Sequence, residues 1–381
     1  MKPKYLPGLN ALRFFAAFFV VISHANISLD KLGIYPASSL PFVNRGGDAV
    51  DFFFTLSGFL ITYLLIGEIN KTGTVSIRQF YLRRMYRIWP LYFLVIAIGF
   101  FLLGYIYPKI YQHPFFSFTI PEGLLMFIFF IPNYAAKNFP VGLLNPLWSI
   151  GVEEQFYLFW APLVKFSKRY LLAMIVAFIL ISLAFYAFVY YRVLPINIKW
   201  EMFFLTQKFY SMAIGSLFGY LLFYHFEIYN RSFFAVKIVQ AIIVGIVVWH
   251  YIFHNVVETG MWFKVFFSFL YGFLILNVSV VSKKIFDLEK PVLSYLGAIS
   301  YGIYMYHMLV DYLLRYFISK PFFLQIPKMA MIPLYYIALL MVTIAVAALS
   351  YQFFEKFFLQ FKERLHSNSK LVSGNYVRTE N

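Results

Sequence analysis

The sequence contains no cysteine, which excludes disulfides, thiolate nucleophiles and Cys-ligated zinc. It is also poor in charge. Asp, Glu, Lys and Arg together make up 13% of its 381 residues, where a soluble domain carries about a quarter. Acid is the scarcer sign, with 16 acidic against 32 basic residues and a formal net charge of +16. So little polar surface cannot cover a globule in water. What fills the space is apolar: 62% hydrophobic and 23% aromatic residues, with a mean hydropathy of +0.73. The chain reads as an all-α, polytopic integral membrane protein, with aromatics suited to lipid-facing and interfacial positions. Its basic balance is then first an orientation signal, and nucleic acid is not needed to explain it.

A membrane span takes about 20 mostly apolar residues. Ten stretches qualify: 9–28, 50–68, 88–107, 146–164, 170–191, 202–224, 235–254, 262–281, 292–314 and 332–354. The apolar segment 121–131 is short and bracketed by Pro121, Pro132 and Pro140, which marks it as re-entrant or interfacial. With the N-terminus inside, most Lys and Arg fall in cytoplasmic loops, among them Arg78, Arg83, Arg84, Arg87, Lys165, Lys168 and Arg169. That asymmetry predicts ten spans with both termini cytoplasmic. The expected organisation is a transmembrane domain over 1–366 and a polar, disordered cytoplasmic tail over 367–381.

Charges inside spans cost on the order of 2.5–3.5 kcal/mol each on insertion scales, so each needs a reason. Arg13 and His24 are spaced close to three full helical turns, which puts them on one face about 16 Å apart along the axis. Taken alone, a snorkelling Arg13 and a carbonyl-bonded His24 account for the pair. Asp48 and Asp51 open the second span beside the His24 end. Glu153, Glu154 and His307 also fall in the outer half of their spans. A carboxylate beside His24 would fix its tautomer and raise its basicity, as a general base requires. On the opposite side, Arg78, Arg83, Arg84 and Arg87 crowd into ten residues before the third span. Their i,i+3 and i,i+4 spacing gives a shared face. Membrane anchoring explains any one of them, whereas four Arg rather than Lys favour bidentate phosphate recognition.

These residues carry a resemblance. The segments LPGLNALRFFAAFFVVISHA, with its R-x10-H spacing, GGDAVDFFFTLSGFLIT, RRMYRIWPLY, NPLWSIGVEEQFYLFW, LGAISYGIYMYHM and SYQFFEKFF occur in that order. The chain resembles the membrane acyltransferase-3 family, O-acyltransferases that modify bacterial surface polysaccharides, lipopolysaccharide and related glycans. Lys356 stands after Glu355 where the family usually has Pro. The resemblance implies a bacterial inner-membrane location and acyl-CoA, usually acetyl-CoA, as cytoplasmic donor. It places the donor's phosphates at Arg83, Arg84 and Arg87. His24 would be general base or transient acyl carrier, with Arg13, Asp51, Glu153 and Glu154 completing the catalytic set. Trp148, Tyr157 and His307 would line the acceptor site, and no metal is expected. The partners implied are a glycan or lipid-linked saccharide and membrane lipids. Many members carry an added esterase-like domain. With its length taken up by spans, this chain is expected either to acylate the acceptor itself or to pass the acyl group to a separate periplasmic or cell-surface protein. The competing reading is a glycolipid transporter or flippase using the same buried ionisable groups.

Overall fold

A backbone in hydrocarbon must satisfy its own hydrogen bonds, which leaves a long apolar chain little choice but helix. The computed structural model describes residues 6–34, 43–253, 260–279, 285–318 and 327–361, and among them every regular element is helical. The helices are α1 (Leu9–Lys31), α2 (Gly46–Thr72), α3 (Ile77–Phe101), α4 (Tyr107–Tyr111), α5 (Ile120–Ile128), α6 (Pro132–Asn138), α7 (Leu147–Phe166), α8 (Leu171–Tyr190), α9 (Ile198–Thr206), α10 (Phe209–Arg231), α11 (Lys237–Phe253), α12 (Met261–Ser279), α13 (Pro291–Ala298), α14 (Ser300–Ile318) and α15 (Lys328–Ser350). Six stretches among the described residues are long and apolar enough to cross a membrane: Leu9–Lys31, Gly46–Thr72, Ile77–Tyr111, Lys168–Tyr190, Met261–Ser279 and Met329–Phe361. The chain is thus an all-α polytopic membrane protein. The expected tail 367–381 lies outside the described residues.

Within the described residues, each of the ten expected stretches falls on helix, with three differences of local cause. α3 begins at Ile77, eleven residues before the expected span, because Ser76 caps it by accepting from the Gln79 amide. The arginine cluster therefore rides in its opening turns rather than in a preceding loop. The stretch 202–224 is interrupted at Gln207 and Lys208, which leave helical geometry between α9 and α10. The stretch 292–314 bends at Ile299, between α13 and α14, where Gly297 lies so close to α1 that a Cβ would stand 2.1 Å from the Asn10 carbonyl oxygen. The segment expected to be re-entrant or interfacial forms α5, nine residues closed by a Thr119–Glu122 capping box. At 1.5 Å per residue it is far too short to span. The Thr119 amide and hydroxyl at that cap hold the Glu122 carboxyl below the usual carboxylate range.

Contacts fix the relative directions of the helices. α2 and α10 run parallel, from Asp51 at Lys208 to Tyr63 at Phe223, and in intimate contact: a Cβ on Gly58 would lie 1.8 Å from the Met212 carbonyl oxygen, and one on Gly215 would lie 1.9 Å from that of Thr55. Small residues permit this approach, the usual basis of helix association in membranes. α7 runs parallel to α2, with Ser57 meeting Glu153 and Thr62 meeting Trp160. α3 runs antiparallel to α7, from Tyr81 at Leu158 to Trp89 at Glu154. Two ends emerge. At the arginine end, where α3 starts, Lys168 reaches the turn after α2 by donating to the Gly73 carbonyl at 3.2 Å. At the far end, Asn138, the last residue of α6, donates to the Lys199 carbonyl at 3.2 Å.

Candidate active site

Between α1, α2, α3, α7 and α14 lies a cavity of about 100 Å³ lined by Arg13, Ser57, Arg84, Arg87, Glu153 and Tyr157 among others. A single water needs only about 10–15 Å³ on that scale, so the space holds several. Its charge is lopsided. Glu153 is held by hydroxyls, accepting from Ser57 at 2.9 Å and from Tyr157 at 3.0 Å. Arg84 lies over the Tyr157 ring at 5.6 Å. Arg13 makes a 3.5 Å bond to Asn10. Among the described residues, none of Arg13, Arg84 and Arg87 has a carboxylate within ion-pair distance. Three guanidinium groups against one carboxylate make the cavity a receptor for anionic or strongly dipolar groups.

The α14 wall of the cavity leads directly to a histidine pair. Tyr304 lines the cavity, donates to the Pro146 carbonyl and is bonded to Ser149 at 2.6 Å. Its own carbonyl is 2.6 Å from His307 Nδ1. His307 Nε2 in turn is 3.3 Å from His24 Nδ1, which lies 3.0 Å from the Val20 carbonyl. One turn further on, the same two helices meet again where Ser28 donates to Asp311 at 2.8 Å. Asp311 also accepts from Tyr335 and Arg315, at 2.7 and 3.0 Å. The rungs 24–307 and 28–311 show that α1 and α14 run parallel.

Several residues singled out from sequence thus converge: Arg13, Arg84, Arg87, Glu153 and Tyr157 on the cavity, with His24 and His307 one turn beyond it. Others stand elsewhere. Arg83 points away and pairs with Glu68 at 2.7 Å. Glu154 accepts from the Trp89 indole at 3.1 Å. Asp51 is paired with Lys208 at 2.5 Å, both buried. Among the described residues none of Asp51, Glu153 and Glu154 is hydrogen-bonded to His24, so the carboxylate partner expected for its ring is replaced by His307 and a carbonyl. Trp148 packs edge-on against Phe54, 6.0 Å between centroids. Ser57, Lys208, Tyr304 and Asp311 were not among the site residues expected from sequence. Lys208 and Asp311 could have been found by the cost of a charge inside an apolar stretch. Ser57 and Tyr304 gave no such signal. A second cavity, of about 420 Å³, lies against α1 and is lined by apolar and aromatic side chains such as Phe15, Phe19 and Leu274.

The acyltransferase domain of the membrane acyltransferase-3 family matches residues 6–352. The chain belongs to the membrane acyltransferase-3 family. Its similarities run to bacterial proteins. A protein of Staphylococcus aureus (strain COL) named Putative O-acetyltransferase is 28% identical over 381 residues, 93% of this chain and 57% of the relative. The O-acetyltransferase OatA of Staphylococcus aureus (strain NCTC 8325 / PS 47) is 32% identical over 174 residues, 43% of this chain and 26% of that protein. This acyltransferase-3 chain therefore spans little more than half the length of the first of these. No solved structure matches it. As a polytopic helical member of the family it resides in the bacterial inner membrane.

Proposed function

We propose that the protein is a membrane O-acetyltransferase that takes an acyl group from cytoplasmic acyl-CoA and delivers it to a hydroxyl of an extracytoplasmic or lipid-linked glycan. The observation that carries this is the three-arginine cavity one helical turn from a histidine pair. Arg84 and Arg87, with Arg13, hold the phosphate-bearing end of the donor, and the pantetheine arm, extended along the Arg13–His24 face of α1, brings the thioester to His24. The acceptor comes from the far end. His24 takes the proton of the attacking hydroxyl through Nε2, the hydroxyl oxygen bonds the thioester carbon, and the C–S bond breaks to release coenzyme A as thiolate. The proton on His24 then passes to that sulfur.

The hydrogen-bond chain supports the base role. His307 Nδ1 faces a carbonyl and so carries the proton, leaving lone-pair density on Nε2. That lone pair and the Val20 carbonyl both face His24 Nδ1, which therefore carries its proton and leaves Nε2 basic. The role of Glu153 and Tyr157 in this reading is to balance and position the arginines.

A ten-pass topology with both termini in the cytoplasm belongs to the same reading. It puts the arginine end where acyl-CoA is, and it is supported by the contacts above: passes of like parity (first and ninth; second, fourth and sixth) lie parallel, and the third and fourth lie antiparallel.

The test is transfer from radiolabelled acetyl-CoA by the purified protein in nanodiscs. Label bound to protein, released as acetate or passed to bacterial envelope glycan supports the reading. Absence of all three overturns it.

A further inference from the structure

An ionisable cluster left unused stands at the far end, beside Trp148, which packs on the cavity residue Phe54. Lys208, at the break before α10, is bonded to Asp51. Lys264 in the first turn of α12 and Lys137 in the last turn of α6 lie within electrostatic range of Lys208 and of each other. Among the described residues neither Lys137 nor Lys264 has a carboxylate within ion-pair distance. Asp51 is neutralised by Lys208, and Asp48 is engaged by Arg45 and His250. The cluster thus holds two positive charges more than its surroundings compensate.

Like charges crowded beside a low-dielectric bundle repel, and an anion between them removes that cost. Sequence position gives no other reason for them: these lysines lie opposite to the arginine end, where a positive-inside bias would gather basic residues. Next to them is an aromatic face. The Lys137 ammonium lies 5.6 Å from the Trp148 ring, and Trp148 packs on Phe54, which itself lines the cavity. A chain of amides completes the surface, Gln207 donating to Gln155 and Gln155 to Asn133.

We propose that Lys137, Lys208 and Lys264, with Trp148, form the acceptor site and select an anionic saccharide, its phosphate or carboxylate among the ammonium groups and its ring against the indole. The proposal rests on the reading that the acceptor comes from the far end. It adds that the acceptor is charged. An anionic lipid headgroup offers the same chemistry and is the alternative the experiment separates.

Binding of radiolabelled N-acetylglucosamine 1-phosphate and of N-acetylglucosamine to the purified full chain in phosphatidylcholine nanodiscs tests this directly. The phosphorylated sugar should bind roughly tenfold or more tighter, as charge-assisted hydrogen bonds predict. The preference should shrink with added salt, disappear in Lys137→Gln/Lys264→Gln and persist in Lys137→Arg/Lys264→Arg. Equal binding of the two sugars, no binding of either, or a preference that survives the Gln substitutions overturns the proposal. Nanodiscs containing phosphatidylglycerol form the second arm, and loss of sugar-phosphate binding there assigns the site to lipid and overturns it as well. Acetyl-CoA binding by the same wild-type sample reads the proposed function separately, so a failure of either is recognisable by itself.

Discussion

His24 and His307 face each other across α1 and α14 with Nδ1 and Nε2 3.3 Å apart. The carbonyls of Tyr304 and Val20 fix which nitrogens hold protons, so the pair is polarised in one direction. A proton arriving on His24 Nε2 creates an imidazolium whose Nδ1–H already points at two acceptors. In the proposed mechanism His307 is the positioning residue for His24, the part expected from sequence of a carboxylate.

His24→Ala should lower acetyl transfer by roughly 10²–10⁴-fold, the usual contribution of a general base. His307→Gln should lower kcat by a smaller factor and leave KM for acetyl-CoA unchanged, because it disturbs the tautomer and not the donor site. Steady-state kinetics on protein of verified folding measures both. Full activity in His24→Ala would remove the base assignment.

Arg84 and Arg87 face the cavity, whereas Arg83, one and four residues away from them, is tied to Glu68. Arg84→Ala/Arg87→Ala should weaken acetyl-CoA binding about 10–100-fold, the scale of lost charge-assisted hydrogen bonds. Arg83→Ala should change it little, since its guanidinium is held by Glu68 and does not line the cavity. Equilibrium binding to the three proteins decides between phosphate recognition and simple anchoring.

Asp51 and Lys208 neutralise each other in a buried setting, with Asp51 3% exposed. Asp51→Ala strands the ammonium and should cost about 3–5 kcal/mol of stability, while Asp51→Leu/Lys208→Met should restore most of it. Thermal unfolding in detergent reads the difference. If the double substitution is as unstable as the single one, the pair is held by more than charge balance.

How far the sequence carried depends on the range of each interaction. Length and hydropathy are local properties, so the apolar helices were legible from 9–28 to 332–354. The convergence of Arg13, Arg84 and Arg87 was half legible: the R-x10-H and R-x-x-R spacings set faces, but which face meets which cavity depends on packing. Arg83 shows the limit, because a shared helical face did not foresee Glu68 drawing it aside. The breaks at Lys208 and Ile299 escaped for a similar reason. Both occur inside runs that read as continuous apolar helix, and their causes lie on distant segments, Asp51 in one case and the Asn10 backbone in the other. Glu153 and Asp51 were correctly marked as costly charges, yet their partners Ser57 and Lys208 lie 96 and 157 residues away in sequence.

The lack of cysteine makes the ten-pass topology directly measurable. Lys168 and Gly73 share the arginine end, and Asn138 and Lys199 share the far end. Thr74 and Arg169 are exposed at the first, Arg192 and Asn197 at the loop leading to the second. Single cysteines at these positions introduce the only thiols in the chain. In right-side-out cells, Arg192→Cys and Asn197→Cys should react with a membrane-impermeant maleimide, and Thr74→Cys and Arg169→Cys should react only after lysis. The inverse pattern would place the arginine cavity on the side without acyl-CoA and would end the proposed direction of transfer. A mixed pattern within either pair would show that the helices do not alternate as ten passes, whatever the orientation.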